Sequence, residues 1–136
     1  MSNIYINNLN DNNPNYIVFR RNNPGIGGLK IRAYGANEAI PISGLKVQVS
    51  VVYENDKFIF FDGETDDSGM IEKIELPTPK YDSDDLVVPQ SITYLIDAFF
   101  TPDNSEQIFP VDMYDGVCVL QNISIIPNTK EREYGD

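Results

Sequence analysis

The sequence of 136 residues contains no histidine, no tryptophan and a single cysteine. Without histidine, the chain has no imidazole to serve as a catalytic base, as the partner of a nucleophile or as a metal ligand. The lone Cys118 cannot form an internal disulfide, and its position in an apolar run predicts a small buried side chain. These absences exclude the catalytic and metal-binding classes that depend on histidine.

Basic residues are also scarce, because 10 Lys and Arg stand against 21 Asp and Glu, which gives a formal net charge of −11. A surface of this sign repels nucleic-acid phosphates and anionic lipids, so we expect neither nucleic acid nor membrane as a partner. No apolar run approaches the roughly 20 residues of a membrane-spanning helix. The first residues lack the basic and apolar regions of a signal peptide, and we therefore expect synthesis in the cytoplasm.

What the sequence does contain is a series of short β-branched and aromatic runs bounded by turn residues, a pattern typical of an antiparallel sandwich. Residues 29–34 and 45–51 alternate apolar and polar side chains, so each run is expected to bury one face. Pro110 predicts an edge strand or a bulge, because proline cannot donate to a ladder. The expected fold is all-β, an antiparallel Greek-key sandwich of about seven strands. Further strands are predicted at 57–61, 70–76, 91–100, 108–114 and 117–126, with hairpin turns at 54–56 and 65–69.

The start of the chain differs from the rest in its richness in Asn and Gly and its few apolar residues. This composition predicts a flexible Asn-rich N-terminal arm, with a short strand at 16–20. The apolar segment Ile4-Tyr5-Ile6 could add as a strand to a neighbouring copy, which predicts self-association. The chain is thus divided into an arm at 1–28, a sandwich domain at 29–127 and a C-terminal tail at 128–136.

Acidic side chains cluster around the predicted turn at 65–69. Carboxylates at this spacing could hold Ca²⁺, which takes about six to eight oxygen ligands. Their order is not that of an EF-hand, and Asp, Ser and Gly are also the residues that a turn prefers. The turn is therefore the preferred interpretation, and we expect no bound metal or cofactor. The weak candidate ligands are Asp62, Glu64, Asp66 and Asp67.

Two pairs of consecutive phenylalanines fall in predicted strands. Successive side chains of a strand point to opposite faces, so one ring of each pair is expected on the outer face. An exposed ring could contact a protein or stack on a sugar, and protein contact is preferred because sugar-binding modules usually use Trp. The candidate interaction surface consists of Phe60, Phe61, Phe99 and Phe100.

Several segments together resemble a known group of domains: the apolar-Pro-Ile-x-Gly turn at 39–47, the turn at 65–69, and the Tyr94-x-Ile96-x-Ala98 strand. They are similar to the prealbumin-like sandwiches grouped with carboxypeptidase regulatory domains. The ending at 109–127 resembles the N-terminal, non-catalytic domain of clostridial-type spore cortex-lytic enzymes. The resemblance implies a prealbumin-like sandwich and deposition on a spore, cell wall or phage-type particle, and it carries over no catalytic residue.

The function expected from these observations is contact without catalysis. Paired carboxylates are the catalytic chemistry that the composition permits, and nothing in the sequence indicates a pair held ready for a reaction. We expect a structural or protein-interaction module of a spore, cell-wall or phage-type assembly, with protein partners or self-association. The alternative is a carbohydrate-binding domain that docks on peptidoglycan or spore cortex.

Related sandwiches of surface adhesins join a first-strand Lys to a last-strand Asn with the help of an acid, which here would be Lys30, Asn122 and Asp97. That reaction needs all three side chains in an apolar pocket. The alternation of the strands instead places Lys30 beside the buried Leu29 and Ile31 on the wet face, and Asp97 opposite its apolar neighbours. We therefore expect no isopeptide bond and a solvated Lys30.

Overall fold

The structure, a computed structural model, describes residues 13–35, 40–82 and 88–125. Within these ranges the chain forms two β-sheets with a short helix packed against them, which confirms the all-β sandwich. None of the helices in these ranges is long and apolar enough to cross a bilayer. The elements are α1 (Pro14–Asn22), β1 (Gly25–Gly35), β2 (Ile40–Pro41), β3 (Lys46–Tyr53), β4 (Asp56–Glu64), β5 (Met70–Thr78), β6 (Ile92–Phe100), a 3₁₀ turn (Thr101–Asp103), β7 (Ser105–Met113) and β8 (Cys118–Ser124).

The two sheets differ in how their strands run. In the first, sheet A, the central β1 pairs with the antiparallel β5 and β2, and it pairs with β8 in parallel. The second, sheet B, is antiparallel throughout in the order β4-β3-β6-β7. The first and last described strands are therefore neighbours in one sheet. β7 lies at an edge of sheet B, which confirms the edge position predicted from Pro110.

Turn chemistry explains the connections, although one of them joins different strands from those expected. Glu54 and Asn55 have φ angles of 51° and 71°, as a two-residue hairpin turn requires, and β3 and β4 form the hairpin predicted at 54–56. The second predicted hairpin, at 65–69, is wrong. β4 pairs with β3 in sheet B and β5 pairs with β1 in sheet A, so this turn carries the chain from one sheet to the other.

The core lies between the sheets and is built from the alternating positions of the central strands. The hydroxyl of Tyr94 donates a 2.6 Å hydrogen bond to the carbonyl of Pro77 and thereby ties β6 to β5 across the core. Burial raises the pKa of Tyr94 far above its usual value, so the hydroxyl remains a donor. The inward residues of β1, β3 and β6, each at most 3% exposed, are Leu29, Ile31, Ala33, Val47, Val49, Val51, Tyr94, Ile96 and Ala98.

Residues 14–22 form a helix, so the strand expected at 16–20 is wrong. The Asn13 side chain caps the helix by accepting a 2.8 Å hydrogen bond from the Asn15 amide, and Pro14 occupies the first turn. Tyr16 and Phe19 lie one turn apart and are both buried against the sheets. Residues 14–28, expected to belong to the arm, are thus part of the folded unit. The segment Ile4-Tyr5-Ile6 lies outside the described residues.

Candidate functional site

The acidic turn is organised around its own backbone. The Asp66 carboxylate accepts hydrogen bonds of 2.8 Å and 2.9 Å from the amides of Ser68 and Met70. The hydroxyl of the buried Thr65 donates a 2.6 Å hydrogen bond to the Ile42 carbonyl and accepts a 3.0 Å hydrogen bond from the Leu45 amide. In the described ranges, no group of three or more Asp, Glu or Cys could hold a metal ion. The candidate calcium ligands Asp62, Glu64, Asp66 and Asp67 are therefore not brought together as a site.

The expectation that one ring of each phenylalanine pair points outward is wrong for the first pair. In the pairing of β3 with β4, Val51 lies opposite Phe58 and Val49 lies opposite Phe61. Two steps along β3 therefore correspond to three steps along β4. The extra residue is a β-bulge, and it brings Phe61 to the same face of the sheet as Phe58. Phe60 is only 2% exposed and packs edge-on to Tyr94 at a centroid distance of 5.8 Å. Neither ring of this pair is therefore part of an outer contact surface.

The second pair behaves as its alternation predicts. Phe100 is partly buried against the core, while Phe99 is 36% exposed on the outer face of sheet B. Phe99 lies opposite Lys46 on one side and Glu106 on the other. Together with Asn104 these residues line a shallow depression of about 320 Å³. Of the four candidate phenylalanines, only Phe99 offers a ring to a ligand.

Cys118 is exposed, so the buried position expected from its apolar run is wrong. In β8 the side chains of the odd-numbered residues face the other sheet, and Val119 and Ile123 among them pack against the core, which leaves Cys118 and Leu120 on the outer face of sheet A. Cys118 lines a second shallow depression, of about 190 Å³, with Ile26 and Val117. Three large hydrophobic side chains on this side of the molecule are about half exposed: Ile26 at 54%, Val117 at 46% and Leu120 at 51%.

The three residues of the hypothetical isopeptide reaction lie on two different sheets. Lys30 is partly exposed in β1 and Asn122 is exposed in β8, both in sheet A. Asp97 belongs to β6 in sheet B, where its carboxylate lies 3.9 Å from the ammonium of Lys57. Lys30 and Asp97 occupy the outward phase of their strands, as alternation predicts, although Asp97 is only 9% exposed; the absence of an isopeptide bond stays a prediction.

Half of the backbone groups of β8 pair with no strand among the described residues. The Gly28 amide donates to the Val117 carbonyl at 2.9 Å, and the Ile125 amide donates to the Tyr34 carbonyl at 2.9 Å. These bonds show that the odd-numbered residues of β8 direct their N–H and C=O groups to β1. The even-numbered residues direct theirs to the open edge of sheet A, where no described strand pairs with them. These residues are Cys118, Leu120, Asn122 and Ser124.

Edge strands elsewhere in the described ranges carry features that discourage pairing with a further strand. β4 has a bulge and four charged residues, β5 has three charged residues and a proline, and β7 has Pro110 between two acids. β8 has no charge, no proline and no register shift along its pairing with β1. Sequence reasoning missed this feature, although the uncharged run at 117–126 was visible, because the edge position of a strand depends on the topology.

Comparison with known proteins supports the fold. No protein-family model matches the sequence, and no curated protein matches it significantly. Among solved structures, the Bacillus anthracis TIE protein is similar with a TM-score of 0.52 and 18% identity, over 74% of this chain and 16% of that chain. GBS52, the minor pilin of Streptococcus agalactiae, has a TM-score of 0.49 and 18% identity, over 78% of this chain and 47% of that chain.

This chain thus spans less than half of either of these proteins. At 18% identity the similarity to the TIE protein shows a shared β-sandwich fold. The relationship to the leading domain of spore cortex-lytic enzymes stays a prediction.

Proposed function

We propose that this domain is a non-catalytic structural module that acts through protein contacts in a spore, cell-wall or phage-type assembly. The observation that carries the proposal is the open edge of β8, at which four residues direct backbone donors and acceptors outward. Such a row of groups is matched by another extended polypeptide, which adds to the sheet as a further strand.

The apolar surroundings of the edge support the same proposal. Leu120 projects from β8 itself, and Val117 and Ile26 lie near the start of the strand, all three about half exposed. Burial of apolar area adds to the main-chain hydrogen bonds of an added strand, while the alternate side chains give specificity. The net charge of −11 disfavours the approach of acidic partners, and at the uncharged β8 strand the strand itself adds no acidic side chain to this repulsion.

A second candidate function, binding to peptidoglycan or spore cortex, rests on Phe99. Its ring is exposed in the depression of about 320 Å³, beside the charged groups of Lys46 and Glu106 and the amide of Asn104. An aromatic face with polar groups at its rim can hold a sugar ring. The depression is shallow and has a single exposed ring, and for this reason we favour protein contact.

A sedimentation assay with insoluble cell wall separates the two functions. If protein contact is the function, the purified domain should remain in the supernatant together with its Phe99→Ala variant. Retention of the wild type that muropeptides compete away and that Phe99→Ala abolishes would instead establish carbohydrate binding. Leu120→Glu is the matched control, because it alters the β8 edge and leaves the depression around Phe99 intact.

Photo-crosslinking tests the protein contact directly in cells that produce the domain. A photoreactive phenylalanine analogue at position 120, on the β8 edge, should yield adducts with a polypeptide. The same analogue at position 108 is the control, because Ile108 is 57% exposed on the charged edge strand β7. Equal adduct yields from the two positions, or none from position 120, would contradict the proposed function.

A further inference from the structure

We propose that the partner at the β8 edge is a second copy of this chain, whose own β8 pairs with it antiparallel across a two-fold axis at Gln121. This inference rests on the proposed function and names its partner. Sheet A of one copy would join sheet A of the other into one continuous sheet, with the two β8 strands side by side. Two-fold pairing of this kind closes on itself, because the β8 edge of each copy is occupied by the β8 edge of the other.

The register follows from the backbone directions. In an antiparallel pair the residues that direct N–H and C=O groups to the edge must lie opposite one another. β8 runs from Cys118 to Ser124, so a two-fold axis at residue 121 pairs every residue of the strand with one of the partner strand. Cys118 then lies opposite Ser124 and Leu120 opposite Asn122 as hydrogen-bonded pairs. Gln121 lies opposite itself as a non-hydrogen-bonded pair.

One outward carbonyl already has a local donor. The Gln121 side-chain amide donates to the Asn122 carbonyl at 3.0 Å. A carbonyl oxygen has two lone pairs, so the Asn122 carbonyl can still accept from a partner strand.

Charge favours a second copy of β8 over the other described strands as the occupant of the edge. Two chains of net charge −11 repel each other, and a seam between two uncharged strands adds no like-charge contacts to that repulsion. β4, β5 and β7 would each bring acidic residues into the seam, whereas β8 brings none. The register also keeps inward-facing residues opposite inward-facing residues, because Val119 of one copy lies opposite Ile123 of the other on the inner side of the joined sheet.

Introduction of a charge on β8 tests whether a second copy of the chain binds at the β8 edge. Sedimentation equilibrium of the wild-type chain over a concentration series should show a monomer–dimer equilibrium. Leu120→Glu places two carboxylates near the two-fold axis and should weaken dimerisation by about tenfold or more. Ile108→Glu makes a comparable change at a half-exposed residue of β7 and should leave the dimer intact. A wild-type monomer at every concentration, or equal effects of the two variants, would overturn the inference.

A disulfide tests the register. Non-hydrogen-bonded antiparallel partners have Cα atoms about 4.5 Å apart, within the range that a disulfide can bridge. The double variant Cys118→Ser, Gln121→Cys should therefore oxidise readily to a covalent dimer. The control Cys118→Ser, Gln107→Cys carries its thiol at a similarly half-buried position on β7 and should stay monomeric. Equal dimer formation by both variants, or none by the first, would show that the two-fold axis does not lie at residue 121.

The crosslink at position 120 distinguishes failure of this inference from failure of the proposed function. An adduct of twice the mass of the chain supports the second copy. An adduct with a different protein would sustain the protein-contact function and overturn the inference. No polypeptide adduct would count against both.

Discussion

Replacement of Phe19 by Ala tests whether α1 is an integral part of the sandwich. The side chain is 0% exposed and its ring lies 5.5–6.0 Å from those of Tyr53, Phe58 and Phe60. A buried Phe→Ala change costs about 3–5 kcal/mol, because apolar burial is lost and a cavity remains. The helix has nine residues, fewer than an isolated helix needs, so it depends on packing against the sheets, which Phe19 provides together with Tyr16. We expect Phe19→Ala to lower the free energy of unfolding by this amount.

The measurement is urea unfolding followed by far-UV circular dichroism and tyrosine fluorescence, since the chain has no tryptophan. With a slope of about 2 kcal/mol per molar urea, the midpoint should fall by about 2 M. Ile17→Ala is the matched control, because Ile17 belongs to the same helix but is 48% exposed. It should change stability by no more than about 0.5 kcal/mol. A loss below about 1 kcal/mol for Phe19→Ala, or equal losses for both variants, would refute the anchoring role.

Three further substitutions, each of a single side chain, give the remaining predictions. The amides of Tyr81 and Ile26 donate to the Asp115 carboxylate and lower its pKa. The ionised carboxylate should therefore stabilise the folded state above about pH 4, and this contribution should be lost as the pH falls through the lowered folded-state pKa. Asp115→Ala should therefore cost about 1 kcal/mol at pH 7, and the difference from wild type in pH-dependent urea unfolding should vanish in acid; a difference independent of pH would contradict this. Thr65→Val removes both hydrogen bonds of a buried hydroxyl and should cost about 2–3 kcal/mol in the same assay. Thr78→Val should be neutral or stabilising by about 1 kcal/mol, because the buried Thr78 hydroxyl has no hydrogen-bond partner in the described ranges. A larger loss of stability for Thr78→Val than for Thr65→Val would contradict the hydrogen bonding described for the two hydroxyls.

The inward faces of the central strands were predictable because alternation is a local signal. Leu29, Ile31 and Ala33 alternate with Lys30 and Arg32, and burial follows the same period in β1. Whichever strands flank β1, its apolar positions must face the core. Alternation likewise predicts the inward residues of β3 and β6, while the edge position of β7 follows from Pro110, which cannot donate to a ladder.

The helix escaped prediction because nine residues show too few turns for a period to be visible. Its buried residues are Tyr16 and Phe19, Val18 is partly buried, and the other positions are polar or exposed. The signals that could have identified it lie at its ends. Asn13 followed by Pro14 is a favourable helix start, and Arg20 and Arg21 suit the negative end of the helix dipole.

The course of the chain after β4 also could not be read from the sequence. The turn at 65–69 has the same chemistry whether the next strand pairs with β4 or crosses to the other sheet, because Asp66 satisfies only local amides. The pairing partner of a strand is decided by long-range packing. Exposure of Cys118 and of the β8 edge depends on that same long-range topology.

The bulge in β4 removes an aromatic ring from the outer face of sheet B and so leaves that face less suited to protein contact than the β8 edge. Strict alternation would have placed one ring of the Phe60 and Phe61 pair on the outer face of sheet B, the face that carries Phe99. The additional residue turns both rings toward the core, and Phe99 is left with the charged side chains of Lys46 and Glu106 as its cross-strand neighbours. A lone ring among charges has little apolar area to bury against a protein. The uncharged edge of β8 combines free backbone groups with exposed apolar side chains, and a partner strand can satisfy both at once.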